Sequence, residues 1–446
     1  MNVKCLSRVG LLSLAAMYST SIMATNGIFL IGYGAKSRAM GGVGIGYTQD
    51  GLGNQMNPAG ITSVEVGANG WRFDIDAMLF VPKRSVELPD PRDPPNAGNP
   101  IRYRSGQNLF LIPAMAATYK VSDKLYYAAS FVGAGGGGTD YLRLSPLGVN
   151  FFNPAKRAGV SRHLGVRYNQ AQIAFTAAYK VTPKHSVAVS PIIGIQLFRA
   201  EGLGLFQPFS SDTDKLTNNG ADFAFGYGVR IGWQGEINKW LSLGATLQSK
   251  VYFSKFDKYT GLLAEGGRID APANIGVGVV IRPHEKITVA FDFQRVMYSA
   301  VRAINNPIER LSEISGFLGE KSGAGFGWED QDIYKLGVKY HYNKEWDFSA
   351  GFNYGESPIP KDQLLFSALA PAVTEKHITL GASYRPDEIM EWTVAYVHAI
   401  NNTQRGLAQS DGQFDTFFPN SDLTGPGEIE LQMFQDSLEL SFAYKF

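Results

Sequence analysis

The 446-residue sequence has a single cysteine, few charged residues and no long apolar run. Its charged fraction of 18% lies below the ~25% of an ordinary soluble domain. No stretch of about 18 consecutive apolar residues occurs, which excludes a membrane protein built from spanning helices. The 41 basic residues nearly balance the 40 acidic ones, so the net charge indicates neither a nucleic acid nor an acidic partner.

Residues 1–24 have the pattern of a secretory signal peptide. Lys4 and Arg8 supply its positive part, Val9–Met17 forms the apolar part, and cleavage is expected at the end of the range. The alternative is an uncleaved membrane anchor, but the apolar part is short and serine and threonine interrupt it. Cys5 lies within this peptide, so the exported chain would contain no cysteine. A closed sheet would then supply the rigidity that disulfides give other exported proteins.

The sequence is rich in glycine (50 residues), in aromatic residues, and in segments where apolar and polar residues alternate. Alternation is clearest at the C-terminal end, and it recurs at 287–294 and 335–342. The alternating apolar residues of the last segment are Phe434, Leu438, Leu440, Phe442, Tyr444 and Phe446. A period of two indicates strands with one apolar face and one polar face.

Short and long connections alternate along the chain. The short, charged turns lie at 121–124, 181–184, 236–239, 282–285, 342–345 and 385–388, and the long polar loops near 81–106, 141–165, 200–221, 255–271, 301–330, 357–375 and 402–431. They would join fourteen strands with tight turns at one end and elaborate loops at the other. This asymmetry predicts an all-β fold, a 14-stranded antiparallel transmembrane β-barrel. A soluble β-sandwich gives the same alternation, but aromatic strand ends, the terminal Phe446 and the even strand number favour the barrel.

Residues 25–64 break the alternating pattern, because they are rich in glycine and irregular. Apolar residues occur here that a tail in the periplasm would not need, namely Phe29, Leu30 and Ile31. A turn motif follows at Asn57, Pro58 and Ala59. The predicted domains are therefore a signal peptide (1–24), an N-terminal hatch that plugs the lumen (25–64) and the barrel (65–446).

Three ordered motifs carry a resemblance to a known family. They are Gly41–Gly42 with Asn57–Ala59, Ala271–Gly278 leading into Thr288–Asp292, and Gly351–Tyr354 with Ser357–Pro360. With these motifs the exported chain resembles, over essentially its whole length, the FadL family of outer-membrane transporters for hydrophobic compounds. The resemblance implies a fourteen-stranded barrel with a hatch. It also implies that substrates enter an apolar groove between the loops, reach a pocket beside the hatch and leave sideways through the wall.

The resemblance places this lateral exit where the third strand kinks inward. That strand, expected near 125–140, contains Gly133, Gly135, Gly136, Gly137 and Gly138. Glycines permit a bulge and leave a gap in a wall. A structural corner of the barrel is the alternative, whereas a nucleotide-binding loop would need a helix directly after the glycines.

Candidate substrate contacts are apolar residues of two long loops, which either form a groove or only pack the loops together. They are Leu142, Leu144, Phe151 and Phe152 near 141–152, and Leu203, Leu205 and Phe206 near 200–209. In the hatch, Phe29, Leu30 and Ile31 would either contact a ligand or anchor the plug. For a carboxylate substrate the family's arrangement implies a basic partner at Arg199 or Lys335. Gln331 stands near a place where fatty-acid channels of the family can carry a base, and this departure favours a hydrocarbon or another apolar substrate over a fatty acid.

No catalytic motif is recognisable, since the histidines are scattered and no nucleophile elbow occurs. The predicted function is passive uptake of fatty acids or hydrocarbons through the outer membrane of a Gram-negative bacterium, by loop capture, hatch movement and lateral release. Alternatives are an adhesin or surface receptor, which needs no wall gap, and a polar-solute porin, which needs no plug. The expected partners are a hydrophobic small molecule and outer-membrane lipids, with no nucleic acid, cofactor or metal, and the chain is expected to be a monomer.

Overall fold

The computed structural model describes residues 26–88, 100–141, 163–407 and 428–446. The predicted signal peptide lies outside these residues. Within the described ranges, no helix is long and apolar enough to cross a membrane. The helical turns are Ala35–Arg38, Gly51–Gln55, Pro58–Ser63, Gly204–Phe209, Thr213–Lys215, Asp257–Tyr259, Ala264–Gly267, Tyr298–Ala300, Arg302–Asn305, Ile308–Ser312, Ile314–Gly316 and Leu364–Ser367.

The described chain forms one closed antiparallel barrel of fourteen strands, two of them interrupted. The strands are β1 Trp71–Leu88, β2 Ile101–Arg104 and Phe110–Lys120, β3 Leu125–Tyr141, β4 Leu164–Lys180, β5 His185–Glu201, β6 Asp222–Asn238, β7 Leu241–Gln248 and Tyr252–Phe253, β8 Asn274–His284, β9 Ile287–Val296, β10 Gln331–His341, β11 Trp346–Gly355, β12 Lys376–Tyr384, β13 Met390–Leu407 and β14 Glu428–Lys445. Strand β14 pairs with β1, from Arg72 opposite Lys445 to Glu87 opposite Glu430, which closes the barrel. The predicted fold is confirmed, and each of the six short turns lies within about two residues of its predicted place.

The two faces of the strands show what surrounds the barrel. In β14, Leu438 and Leu440 are 53% and 50% exposed, whereas the intervening Glu439 is 1% exposed. A soluble sandwich would bury the apolar face and expose the polar one. The observed arrangement is the reverse, as expected for a wall with lipid outside and a polar lumen.

Beyond the lipid-facing zone the polarity of the strands inverts. Near the long loops, Val86 and Leu88 face inward and are buried, while Lys83 faces outward and is exposed. Ile429 and Leu431 of β14 are also buried. Strands β1, β13 and β14 therefore continue into the predicted loops 81–106 and 402–431, and both loops are shorter than predicted.

Residues 26–64, which we call the hatch, lie inside the barrel and are almost all buried. The strands of the wall carry glycine at inward-facing positions, so the backbone of the hatch can approach them closely. A Cβ on Gly351 would lie 2.1 Å from the Gly41 nitrogen, and a Cβ on Gly244 would lie 2.1 Å from the Ile45 oxygen. Larger residues at these two wall positions would push the hatch out of place.

Candidate functional site

A carboxylate of the wall holds the middle of the hatch. Asp292 on β9 accepts hydrogen bonds from the backbone N–H groups of Gly44 (2.7 Å), Ile45 (2.8 Å) and Gly46 (3.2 Å). Lys335 stands opposite Asp292 in the β9–β10 register, is buried, and donates to Gln294 Oε1 at 2.9 Å. The structure thus places Lys335 beside the hatch anchor.

The predicted turn motif joins the hatch to strand β6. The Asn57 amide donates to the Ile45 oxygen at 2.8 Å and to the Trp233 oxygen at 2.9 Å. Its Oδ1 accepts from the Ala59 N–H at 3.1 Å and so caps the 3₁₀ turn that begins at Pro58. Asn57, Pro58 and Ala59 therefore form a junction between hatch and wall.

Buried ion pairs tie the hatch to the strands near the closure of the barrel. The Lys36 Nζ lies 2.7 Å from Oε2 of Glu391 on β13, and the Arg38 guanidinium pairs with the carboxylate of Glu439 on β14. Arg72 of β1 also contacts Glu391, at 3.3 Å. These charged side chains are buried, so each needs its oppositely charged partner to offset the free-energy cost of leaving water.

The first residues of the hatch pair with the glycine run of β3. Phe29 forms an antiparallel bridge with Gly135, and the Gly136 N–H donates to the Ile28 oxygen at 2.9 Å. A Cβ on Gly135 would lie 2.1 Å from that oxygen, so only glycine permits this approach. The Tyr33 hydroxyl donates to the Ala134 oxygen at 3.1 Å.

Behind this contact the wall separates between β2 and β3, and we call this separation the wall opening. The β2–β3 register runs from Lys120 opposite Tyr126 to Ala114 opposite Val132, and goes no further in the described strands. From Gly133 onward β3 keeps its pairing with β4, with a bulge before Gly135. The glycines predicted to form a lateral gap lie along this separation.

An apolar pocket with a cavity volume of about 40 Å³ lies among the long loops. It is lined by Val166, Phe198, Leu203, Phe206, Leu262, Leu263, Ala303, Leu318, Ala324, Gly325, Phe326, Phe366 and Leu369. No charged or hydrogen-bonding side chain is among these residues. Such a surface suits a molecule held by burial of its apolar area.

The predicted contacts are only partly brought together in this pocket. Leu203 and Phe206 line it, while Leu205 packs beside it, half-buried against the core. Leu142, Leu144, Phe151 and Phe152 lie outside the described residues. Phe29, Leu30 and Ile31 are buried in the hatch and do not line the pocket.

Arg199 does not reach the pocket. Its neighbour Phe198 lines the cavity, and successive side chains of a strand point to opposite faces. Arg199 is 43% exposed and pairs with Glu201 at 2.5 Å. The lining residues in the loops 255–271, 301–330 and 357–375 are not among the predicted contacts, although apolar residues in otherwise polar loops are a usable signal.

Replacement of Tyr298 by phenylalanine is expected to loosen the start of the hatch. The Tyr298 hydroxyl accepts from the Ile28 N–H at 3.0 Å and donates to the Asn26 oxygen at 3.0 Å. Burial raises the pKa of this hydroxyl, so it stays protonated and remains a donor. Loss of both bonds should cost about 1–3 kcal/mol. Hydrogen exchange at the Ile28 N–H should therefore accelerate, while exchange in β14 stays as in the wild type.

Comparison with known proteins supplies the family. A family model described as outer membrane protein transport protein (OMPP1/FadL/TodX) matches residues 20–434. No curated protein matches the chain. Among solved structures, the Pseudomonas putida toluene transporter TodX has 17% identity and a TM-score of 0.65, with 95% of this chain and 100% of that chain covered.

Two further solved structures have the same barrel. The Ralstonia pickettii toluene transporter TbuX has 18% identity and a TM-score of 0.60, with 93% of this chain and 98% of that chain covered. A Pseudomonas aeruginosa FadL homologue has 13% identity and a TM-score of 0.61, with 94% and 100% covered. At these identities the structures show a shared fold, and the family model shows the membership. The chain therefore belongs to the outer membrane protein transport protein family (OMPP1/FadL/TodX), whose members are outer-membrane transport channels and not enzymes.

Proposed function

We propose that this outer-membrane protein is a passive channel for hydrophobic compounds, which are captured in the apolar pocket and released sideways through the wall opening. The observation that carries the proposal is the position of the pocket directly beside that opening. The oxygen of Leu369, a lining residue, accepts a hydrogen bond from Thr139 Oγ1 at 2.9 Å. Thr139 follows Gly138, the last residue of the glycine run.

The physical logic of the route is that an apolar molecule can remain in apolar surroundings. It passes from the pocket to the bilayer without entering the aqueous periplasm, so burial of its surface is not undone. The hatch start, which pairs with Gly135, would move aside to let it pass. Toluene transporters are among the similar structures, and the wholly apolar lining of the pocket suits a ligand of that chemistry. We propose outer-membrane lipids as the recipient and a monomer as the working form.

The route can be tested by filling the pocket. Ala303 lines the cavity, whereas Ala300 is exposed three residues earlier in the same loop and does not line it. We expect Ala303→Phe to lower the uptake of radiolabelled ethylbenzene by cells about tenfold, which corresponds to a loss of about 1.4 kcal/mol of binding. Ala300→Phe is the matched control and should transport as the wild type does.

The alternatives give different results in this experiment. An adhesin or surface receptor would give no uptake above cells that lack the protein. A polar-solute porin would admit glucose in both variants and show no dependence on residue 303. Equal uptake by the two variants would contradict the assignment of the pocket as the capture site.

A further inference from the structure

A polar cavity of about 500 Å³ lies at the end of the barrel that carries the long loops, and we call it the rim cavity. It lies among residues of 329–334 and 354–361, together with Gln404. These are the start of β10, the end of β11 with the loop after it, and a position near the end of β13. No residue lines both the rim cavity and the apolar pocket. A ligand in the rim cavity would therefore be held by side chains that the proposed transport route does not use.

The rim cavity is lined by more acidic than basic side chains. Its four carboxylates are Glu329, Asp330, Asp332 and Glu356. Arg295 of β9 pairs with Asp330 at 3.5 Å and with Asp332 at 3.1 Å. Glu329 and Glu356 have no ion pair among the described residues. Lys361 is the one basic residue of the lining, so negative charge remains in excess.

Two glutamines of the lining add acceptor atoms that lack donors. Gln331 is 2% exposed, and its Nε2 donates to the backbone oxygen of Glu356 at 2.8 Å. The Nε2 of Gln404 donates to the backbone oxygen of Ile359. The Oε1 atoms of both glutamines are buried and have no hydrogen-bond partner in the described part of the chain. Such an atom costs about 1–3 kcal/mol, so a complementary ligand would supply N–H donors as well as positive charge.

Two tyrosine rings provide an aromatic wall for the same cavity. Tyr334 and Tyr354 stand opposite each other in the β10–β11 register, with ring centres 6.5 Å apart and planes inclined by 18°. Tyr334 is 43% exposed, so its ring is accessible. The face of an aromatic ring attracts a cation that lies within about 6 Å of its centre. Tyrosines beside carboxylates are therefore suited to an ammonium group.

An organic cation fits this lining better than a metal ion does. Within the described ranges, no three His, Cys, Asp or Glu side chains are placed to hold a metal ion. The volume of about 500 Å³ lies within the ~300–1,000 Å³ of sites for small organic ligands. The acceptors of the rim cavity thus surround the space of a small molecule and do not converge on one point.

We infer that the rim cavity is a second ligand site, which binds an organic primary ammonium compound. The ammonium group lies among the carboxylates and the amide oxygens, near the tyrosine rings. The apolar part of the ligand packs against Ile359 and Pro360, which also line the cavity. Binding here needs no movement of the hatch and no passage through the wall opening.

The inference can be tested by equilibrium dialysis of the purified full-length barrel in a non-ionic detergent, with protein-free micelles as the blank. The probes are 2-phenylethylammonium, its N,N,N-trimethyl derivative and the neutral 2-phenylethanol. The wild type should bind the primary ammonium most tightly. Glu329→Gln combined with Glu356→Gln removes the two carboxylates without an ion pair. It should weaken primary ammonium binding about tenfold and change 2-phenylethanol binding less than about twofold.

The matched control is Glu320→Gln combined with Glu388→Gln. It changes the net charge equally at two exposed positions that do not line the cavity, and it should bind all three probes as the wild type does. Tyr354→Leu should weaken primary ammonium binding about threefold, because it removes one ring from the aromatic wall. Uptake of ethylbenzene should be the same in all these variants, since none of the replaced residues lines the apolar pocket.

Other results would contradict the inference in distinct ways. Binding of 2-phenylethylammonium no greater than in the blank, or equal losses for the ammonium and the alcohol, would show that the rim cavity is not an ammonium site. An equal loss in the control variant would show only general attraction by the charge of the protein. Tighter binding of the trimethyl derivative would contradict recognition through N–H donors. Lower ethylbenzene uptake in the Glu329/Glu356 variant would place the cavity on the transport route.

Discussion

Asp292→Ala is expected to release the hatch from the lumen while the barrel remains folded. The carboxylate accepts three backbone N–H groups of the hatch, from Gly44 to Gly46, and is itself completely buried. Without it each buried donor loses its partner at a cost of about 1–3 kcal/mol. These donors can regain partners only in water, so the hatch should leave its site. Cells with the variant should then admit large antibiotics such as vancomycin, and protease should cleave within residues 26–64.

Two further variants test whether the Asp292 carboxylate itself holds the hatch. Asp292→Asn keeps an acceptor oxygen and should retain part of the hatch contact, giving an intermediate antibiotic sensitivity. Asp332→Ala is the matched control, because Asp332 is 39% exposed, pairs with Arg295 at the wall, and should leave the hatch untouched. A protease-resistant hatch in Asp292→Ala would show that the other contacts, such as the Asn57 junction, suffice to hold it.

The strand arrangement could be predicted because the alternation of side chains is a local property of the sequence. Alternation shows that a strand has two different faces, but it does not show which face is inside. Only the structure answers that question, because it shows Leu440 exposed on the outer face and Glu439 buried on the inner face. The same limit explains why the loops at 81–106 and 402–431 are shorter than predicted. Beyond the lipid-facing zone Val86 and Leu88 face inward, so the apolar side chains of β1 move from its outer face to its inner face. The alternation of the lipid-facing part therefore does not continue into this part of the strand.

The pocket was harder to predict, because its lining comes from distant segments. The lining comes from four different loops, which only the closure of the barrel brings together. One lining residue from each loop is Phe206, Leu263, Phe326 and Phe366. The orientation of basic residues is equally hard to predict from the sequence. Arg84 and Arg199 are equally polar in sequence, yet one is buried at the wall opening and the other is half-exposed on the outer face. Strand register, which sets these orientations, is not readable from composition or spacing.

Removal of Arg38 is expected to be the second large perturbation of the hatch. Arg38 is 3% exposed and pairs with Glu439, which is 1% exposed, and Asp76 is a second carboxylate close enough to attract it. Arg38→Met would leave these carboxylates buried without their cation. Breaking a buried pair from one side typically costs about 3–5 kcal/mol. The free energy of unfolding in detergent micelles, measured with guanidinium chloride, should fall by a comparable amount.

A double-mutant cycle separates the lost pair from lost packing. Arg38→Met with Glu439→Gln removes both charges, so the double variant should be more stable than Arg38→Met alone, with a coupling of about 1–3 kcal/mol. If the double variant is as unstable as the sum of the single ones, the pair contributes only volume. Glu439 lies on β14, which closes the barrel against β1. A measured coupling would therefore show that the hatch and the closing strands stabilise each other, so that hatch movement during transport must be confined to its first residues.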